Sequence, residues 1–123
     1  SYPSSLSGGM QRRVALARSF ANKPRILILD EPFVSLDEPA ANILRKMLLD
    51  LWGSEPTTII FVTHDLREAI LLGDRIIFFS KAPATVIKDI KISLSRPRHN
   101  SLLIEKERDK ILNENKNILN GTL

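Results

Sequence analysis

The sequence predicts an α/β fold: a mostly parallel sheet flanked by helices, followed by a C-terminal helical tail. Three observations carry this. Two short apolar runs, RILILD at 25–30 and TTIIFVT at 57–63, have the length of strands buried on both faces, and the second is rich in β-branched residues. Each run is followed by a stretch with helical spacing, 39–52 and 65–72. A strand–helix–strand order implies right-handed crossovers, which make the strands parallel and put the helices on the sheet faces.

Taken in order, Gln11 to Asn22 reads as a helix with Val14, Leu16, Ala17, Phe20 and Ala21 as its apolar positions. Lys23 and Pro24 close it, because proline disfavours helix in the residue before it. After the strand Arg25 to Asp30, a second helix spans Pro39 to Trp52, with proline in its tolerated early position and Gly53 near the end. The strand Thr57 to Thr63 leads into a third helix, Asp65 to Leu72, opened by an aspartate able to cap its free N–H groups. Arg75 to Ser80 and Thr85 to Ile92 are two further strands. The second alternates Val86, Ile87, Ile90 and Ile92 with Lys88, Asp89 and Lys91, as a half-exposed strand does. SLSRPRHNS at 93–101 is a polar connector, and Leu102 to Asn120 is a polar helix. There Ile104, Ile111 and Ile118 recur every seven residues, as do Leu112 and Leu119, but Asn113 and Asn117 intervene. The expectation is a tail that packs on its own domain rather than a coiled coil. Three segments result: a domain portion over 1–92, the connector over 93–101 and the tail over 102–123.

Composition narrows the function classes. At 123 residues, 43% hydrophobic and 26% charged, the chain suits one globular domain or part of one. Its purely apolar runs reach only four residues, far short of the roughly 20 that span a bilayer. No basic n-region followed by an apolar stretch opens it, so no secretory signal is expected. The lack of cysteine fits a reducing compartment. The net charge of +4 is spread thinly, with seven basic and six acidic groups over 1–62 and eleven and eight over 63–123. A nucleic-acid binder usually concentrates charge on one face. The one local concentration, Lys91, Arg96, Arg98 and His99, reads as solvated surface, and no nucleic-acid partner is expected.

Four groups of residues can carry chemistry. Leu6-Ser7-Gly8-Gly9-Met10-Gln11 stands at a helix start, where a hydroxyl, bare backbone and the helix dipole favour an anion. Alone, it is equally a Ser-capped helix after a Gly-Gly turn. Ile26 to Pro32 delivers Asp30 and Glu31 at the C-terminal end of a strand, where open α/β sheets bind ligands. Side chains alternate there, so the two carboxylates can do different work: one can hold Mg²⁺ through water and the other can orient an attacking water. His64 ends the second strand, within reach of a terminal phosphate or of a structural hydrogen bond. Ser35-Leu36-Asp37 is a short loop that, alone, caps the next helix.

The order of these parts resembles the ATP-binding subunit of ABC transporters. LSGGM is similar to the signature motif, RILILDEP to the Walker B strand, SLD to the D-loop and VTHD to the segment of the switch histidine. The likeness covers residues 2–98, and YPSSLSGGMQRRVALAR, DEPFVSLD and SKAPATVIKDIKISLSRPR look like the nitrate, sulfonate and taurine importers. The resemblance implies part of a P-loop NTPase-type domain. It implies that Asp30 coordinates Mg²⁺ through water, that Glu31 is the base toward the hydrolytic water, and that His64 meets the γ-phosphate. Ser7, Gly8, Gly9 and Gln11 would serve ATP held by an opposing subunit, and Asp37 would couple the two sites. Its implied cofactors are ATP and Mg²⁺. The partners would be a second ATPase subunit in a homodimer, a transmembrane permease and, indirectly, a solute-binding protein, with the chain peripheral on the cytoplasmic face of the membrane. Two departures stand out: Met10 replaces the commoner glutamine, and Val34-Ser35 replaces Gly-Ala before Leu-Asp.

The glycines, at 8, 9, 53, 73 and 121, cannot form a GxxxxGK[ST] phosphate loop anywhere in these 123 residues. The chain thus corresponds to the C-terminal portion of such a subunit, from the signature onward, and is expected to be inactive alone. Competing readings are a soluble ABC ATPase of repair or translation and a non-catalytic interaction piece. An apolar sheet surface left bare would also favour self-association.

Overall fold

The computed structural model describes residues 8–54 and 56–122. The fold is α/β, in two compact units that divide between His64 and Asp65.

In the first unit, α1 (Gly8–Ala21) precedes β1 (Ile26–Asp30), and α2 (Glu38–Ser54) precedes β2 (Thr58–Val62). The strands are parallel, in register from Ile26 opposite Thr58 to Asp30 opposite Val62. Buried Thr57 fixes the entry to β2 by donating its hydroxyl to the carbonyl of Pro24 at 2.7 Å. Helical spacing sets the packing: Leu16 and Phe20 of α1 and Ala41, Leu44 and Leu48 of α2 are buried, and the two helices pack together. The runs in β1 and β2 predicted two covered faces. Instead burial alternates, with Leu27, Leu29, Ile59 and Phe61 partly covered while Ile26, Ile28, Ile60 and Val62 are exposed.

The second unit holds α3 (Leu66–Leu72), β3 (Arg75–Phe79), β4 (Val86–Lys91), α4 (Ser101–Glu114) and a 3-10 turn at Ile118–Asn120. Here β3 pairs antiparallel with β4 across a short hairpin connection with no crossover helix between them. The core gathers Leu66, Ala69 and Ile70 of α3, Ile76 and Phe78 of β3, Ile92, and Ile104, Ile111 and Ile118 from the tail. The seven-residue isoleucine repeat therefore packs inward. Asp65 caps α3 by accepting from the N–H groups of Arg67 and Glu68, as expected, and Asn100 caps α4 in the same way. α4 stops at Glu114 rather than continuing to Asn120. Buried Asn115 turns its Nδ2 back onto the carbonyl of Ile111 at 3.0 Å, a local bond that competes with helix continuation.

Of the local basic concentration, Lys91 and His99 are exposed as expected, but Arg96 and Arg98 are half-buried. Arg98 donates from Nη1 to the carbonyls of Ile70 and Gly73, each at 2.6 Å, and from Nε to that of Leu94 at 3.1 Å. Arg96 donates to the carbonyl of Leu72 at 2.5 Å and to Asp74 at 3.0 Å. Both arginines thus cap the C-terminal end of α3, where carbonyls lack helical partners and cations are favoured. Burial, and after it the neighbouring charge of Arg96, pushes the Arg98 pKa below its ordinary value. Gly73 has space for hydrogen only, since an added Cβ would lie 2.8 Å from the carbonyl oxygen of Ala69.

Candidate functional site

The carboxylates at the end of β1 lie beside the end of β2 because the parallel register sets Asp30 against Val62. The chain then turns sharply. Glu31 donates its N–H to the carbonyl of Val62 at 2.8 Å and takes a left-handed φ of 46°. Ser35, with φ of 64°, is left-handed too. Such conformations disfavour residues with a Cβ by about 1 kcal/mol or more, and they cluster at functional sites. The turn aims the Glu31 side chain at His64, whose Nε2 lies 2.9 Å from Oε1. The His64 side chain is 91% exposed, so its ring is open to a ligand, while that of Glu31 is 33% exposed.

The segment after Glu31 is held at several points. Val34 donates to the carbonyl of Glu31 at 3.2 Å and Leu36 to that of Phe33 at 3.3 Å. Phe33 is buried beneath the Arg45 guanidinium, 5.6 Å from its ring centre. Asp37 accepts from the N–H of Ala40 at 2.9 Å, capping α2 as the sequence suggested. Arg12 of α1 donates from Nη1 to the carbonyls of Pro32, at 3.3 Å, and Val34.

A cleft of about 240 Å³ opens between the first turns of α1 and α2, lined by Gly9, Arg13, Asp37, Pro39, Ala40 and Ile43. Two predicted nucleotide contacts, Gly9 and Asp37, therefore share one cleft, and the predicted pair Glu31 and His64 are in contact. Gln11 is exposed on α1 and Asp30 is exposed at the end of β1. Gly8 begins α1, and Ser7 lies outside the described residues. Sequence reasoning missed Arg12 and Arg13, for which helical periodicity gave only a polar face. Among the described residues no three His, Cys, Asp or Glu side chains converge as a metal cage. A single exposed carboxylate suits Mg²⁺ that takes its other ligands from phosphate oxygens and water, and does not suit a cage built from protein alone.

The first unit thus sets an acidic and a histidine side chain in contact at the ends of two parallel strands, the place where open α/β sheets bind ligands. Comparison with known proteins makes this specific: the chain belongs to the ABC transporter ATP-binding proteins. The family model described as ABC transporter matches residues 1–34. The chain is 47% identical over 113 residues to an uncharacterized ABC transporter ATP-binding protein of Methanocaldococcus jannaschii, covering 91% of this chain and 42% of that protein. It is 44% identical over 115 residues to the aliphatic sulfonates import ATP-binding protein SsuB of Bacillus thuringiensis subsp. konkukian, covering 93% and 46%. With the nitrate import ATP-binding protein NrtD of Synechococcus elongatus it shares 40% over 107 residues, covering 86% and 39%. A solved dimeric ATP-binding cassette, in a post-hydrolysis state bound to ADP and Pi, superposes with a TM-score of 0.58 at 34% identity, covering 76% of this chain and 39% of that one. The chain thus spans less than half the length of the curated relatives it matches.

Proposed function

We propose that this chain is the hydrolytic portion of an ABC importer's ATP-binding subunit, energising uptake of a small anion such as an aliphatic sulfonate, taurine or nitrate. The observation that carries the reading is the Glu31–His64 contact of 2.9 Å at the ends of two paired parallel strands. Residues 1–92 form the domain portion, 93–101 its connector and 102–123 its helical tail. The subunit pairs with a second copy, docks on a membrane permease at the cytoplasmic face, and meets the solute-binding protein only through that permease.

The Glu31 carboxylate orients the attacking water and accepts its proton. His64, held by Glu31 through one ring nitrogen, is oriented toward the terminal phosphate. The bare backbone at Gly8 and Gly9, with Ser7 and Gln11, offers donors to the phosphates of a nucleotide carried by the opposing copy. Asp37 lies in the same cleft as Gly9, where movement at the copy interface reaches the Glu31 loop. Asp30 would hold Mg²⁺ through water, and the ion supplies charge neutralisation on the phosphates. Positioning and electrostatics provide most of phosphoryl-transfer catalysis, so without a phosphate loop among these 123 residues the chain alone has no turnover.

The test has two arms. Purified chain with Mg-ATP should release no phosphate above a Glu31→Gln control. A chimera in which residues 1–123 replace the matching part of the Bacillus SsuB protein should hydrolyse ATP, and Glu31→Gln should lower its kcat by roughly 100-fold or more. Equal turnover by the chimera and its Glu31→Gln form would overturn the assignment of Glu31. Glu31-dependent turnover by the chain alone would overturn its predicted inactivity.

A further inference from the structure

Arg12 has no role in the chemistry described above, yet its side chain reaches across from α1 to the loop that carries Glu31 and Asp37. That loop needs external support. Within it, Glu31 and Ser35 both hold left-handed φ angles that side chains with a Cβ adopt rarely. Its internal hydrogen bonds are two successive turns, with Val34 donating to Glu31 and Leu36 to Phe33. These turns use the carbonyls of Glu31 and Phe33 and leave the alternating carbonyls of Pro32 and Val34 pointing elsewhere. Arg12 Nη1 donates to both of those carbonyls. One charged donor thus spans the middle of the loop, and hydrogen bonds from a charged group are stronger than neutral ones.

The other end of this strut matters equally. Arg12 sits in the opening turns of α1, following Gly9, which lines the cleft with Asp37, and Gln11, which is exposed. A guanidinium has a rigid planar fork, so it transmits displacement of its helix more faithfully than a flexible contact would. We propose that Arg12 is a positioning residue: it couples the first turns of α1 to the backbone of the Glu31–Asp37 loop, so that a ligand engaged at the start of α1 fixes the placement of the Glu31 carboxylate. This rests on the reading of Glu31 as the hydrolytic base. It assigns Arg12 no contact with nucleotide, water or metal.

The proposal makes a kinetic distinction that general destabilisation does not. In the SsuB chimera, Arg12→Ala should lower kcat by about 10- to 100-fold, the range expected when a reacting group is misplaced by about 1 Å. The KM for ATP should stay within about twofold, because no ground-state contact is removed. Arg12→Lys, which retains a charged donor but on a flexible stem without the rigid fork, should recover only part of the lost kcat. Arg18→Ala, removing a positive charge from the last turn of the same helix, should leave kcat unchanged. In the 123-residue chain itself, Arg12→Ala should speed hydrogen exchange at the Val34 and Leu36 amides and leave the β1–β2 amides unaltered.

Unchanged kcat in Arg12→Ala, beside a strong loss in Glu31→Gln, would overturn this inference and leave the assignment of Glu31 standing. No effect of Glu31→Gln would instead remove the reading on which it rests. A parallel rise in KM, or equal losses in Arg12→Ala and Arg18→Ala, would also overturn it, because either would mark a direct or purely electrostatic role.

Discussion

Arg98→Ala should destabilise the unit built from α3, β3, β4 and α4 by about 3 kcal/mol, a large fraction of a small unit's stability. The size follows from what the side chain satisfies. Arg98 donates to the carbonyls of Ile70, Gly73 and Leu94, and removing it leaves partly buried acceptors at the end of α3 without that donor. Ile70 is itself the fully buried centre of the core, so disturbance at its carbonyl reaches the packing directly. Arg98→Lys should recover only part of the loss, since one ammonium on a flexible stem cannot reproduce donors from both Nε and Nη1. Denaturant unfolding followed by circular dichroism, with hydrogen exchange across α3, measures both effects. Unchanged stability in Arg98→Ala would refute the cap.

The same capping should be insensitive to pH across the neutral range. Burial lowers the folded pKa of Arg98 below its ordinary value, so the unfolded chain binds protons more readily only in strongly alkaline solution. Stability from this group therefore rises with pH in that alkaline window and is flat below it.

The purified chain should associate in solution through the open face of β1 and β2. Ile26, Ile28, Ile60 and Val62 are 61, 68, 51 and 47% exposed, on one side of a parallel pair. Parallel sheets elsewhere are covered on both faces, and a contiguous apolar patch of this kind favours association. Light scattering should show mass rising with protein concentration. Replacing the cross-strand neighbours together, in Ile28→Lys with Ile60→Glu, should return the chain toward monomer with little loss of stability, because both side chains are already wet. A wild-type chain that stays monomeric at high concentration would refute this expectation.

Much of this was legible in the residues. Among the described residues, the four helices and four strands lie within the stretches that periodicity and capping residues mark out, with shifted ends at α1 and α4, because apolar spacing and short polar side chains act locally. Pairing was less legible. RIIFF reads as a strand from its own sequence, but whether it lies parallel or antiparallel depends on which neighbour meets it, and it meets β4. The tail overran for a similar reason: Asn115 ends α4 only because burial directs its amide back onto Ile111. Arginine was the least legible residue. Arg12, Arg96 and Arg98 look like surface charge in the sequence, yet each donates to backbone carbonyls 20 or more positions away. Glu31 and His64 were singled out by order and spacing. Their contact depends on a backbone turn whose sense the sequence did not specify, although Pro32 does disfavour right-handed helix at Glu31.

That turn sets two selective pressures against each other. At the left-handed φ of Glu31 a glycine would relieve the backbone, so Glu31→Gly should hold or raise the stability of the fold while abolishing the carboxylate. Drift toward a more stable chain would then run through loss of the base. A glutamate that persists at such a position is kept by what its side chain does, and sequences of this family that have lost transport should be found to relax there first.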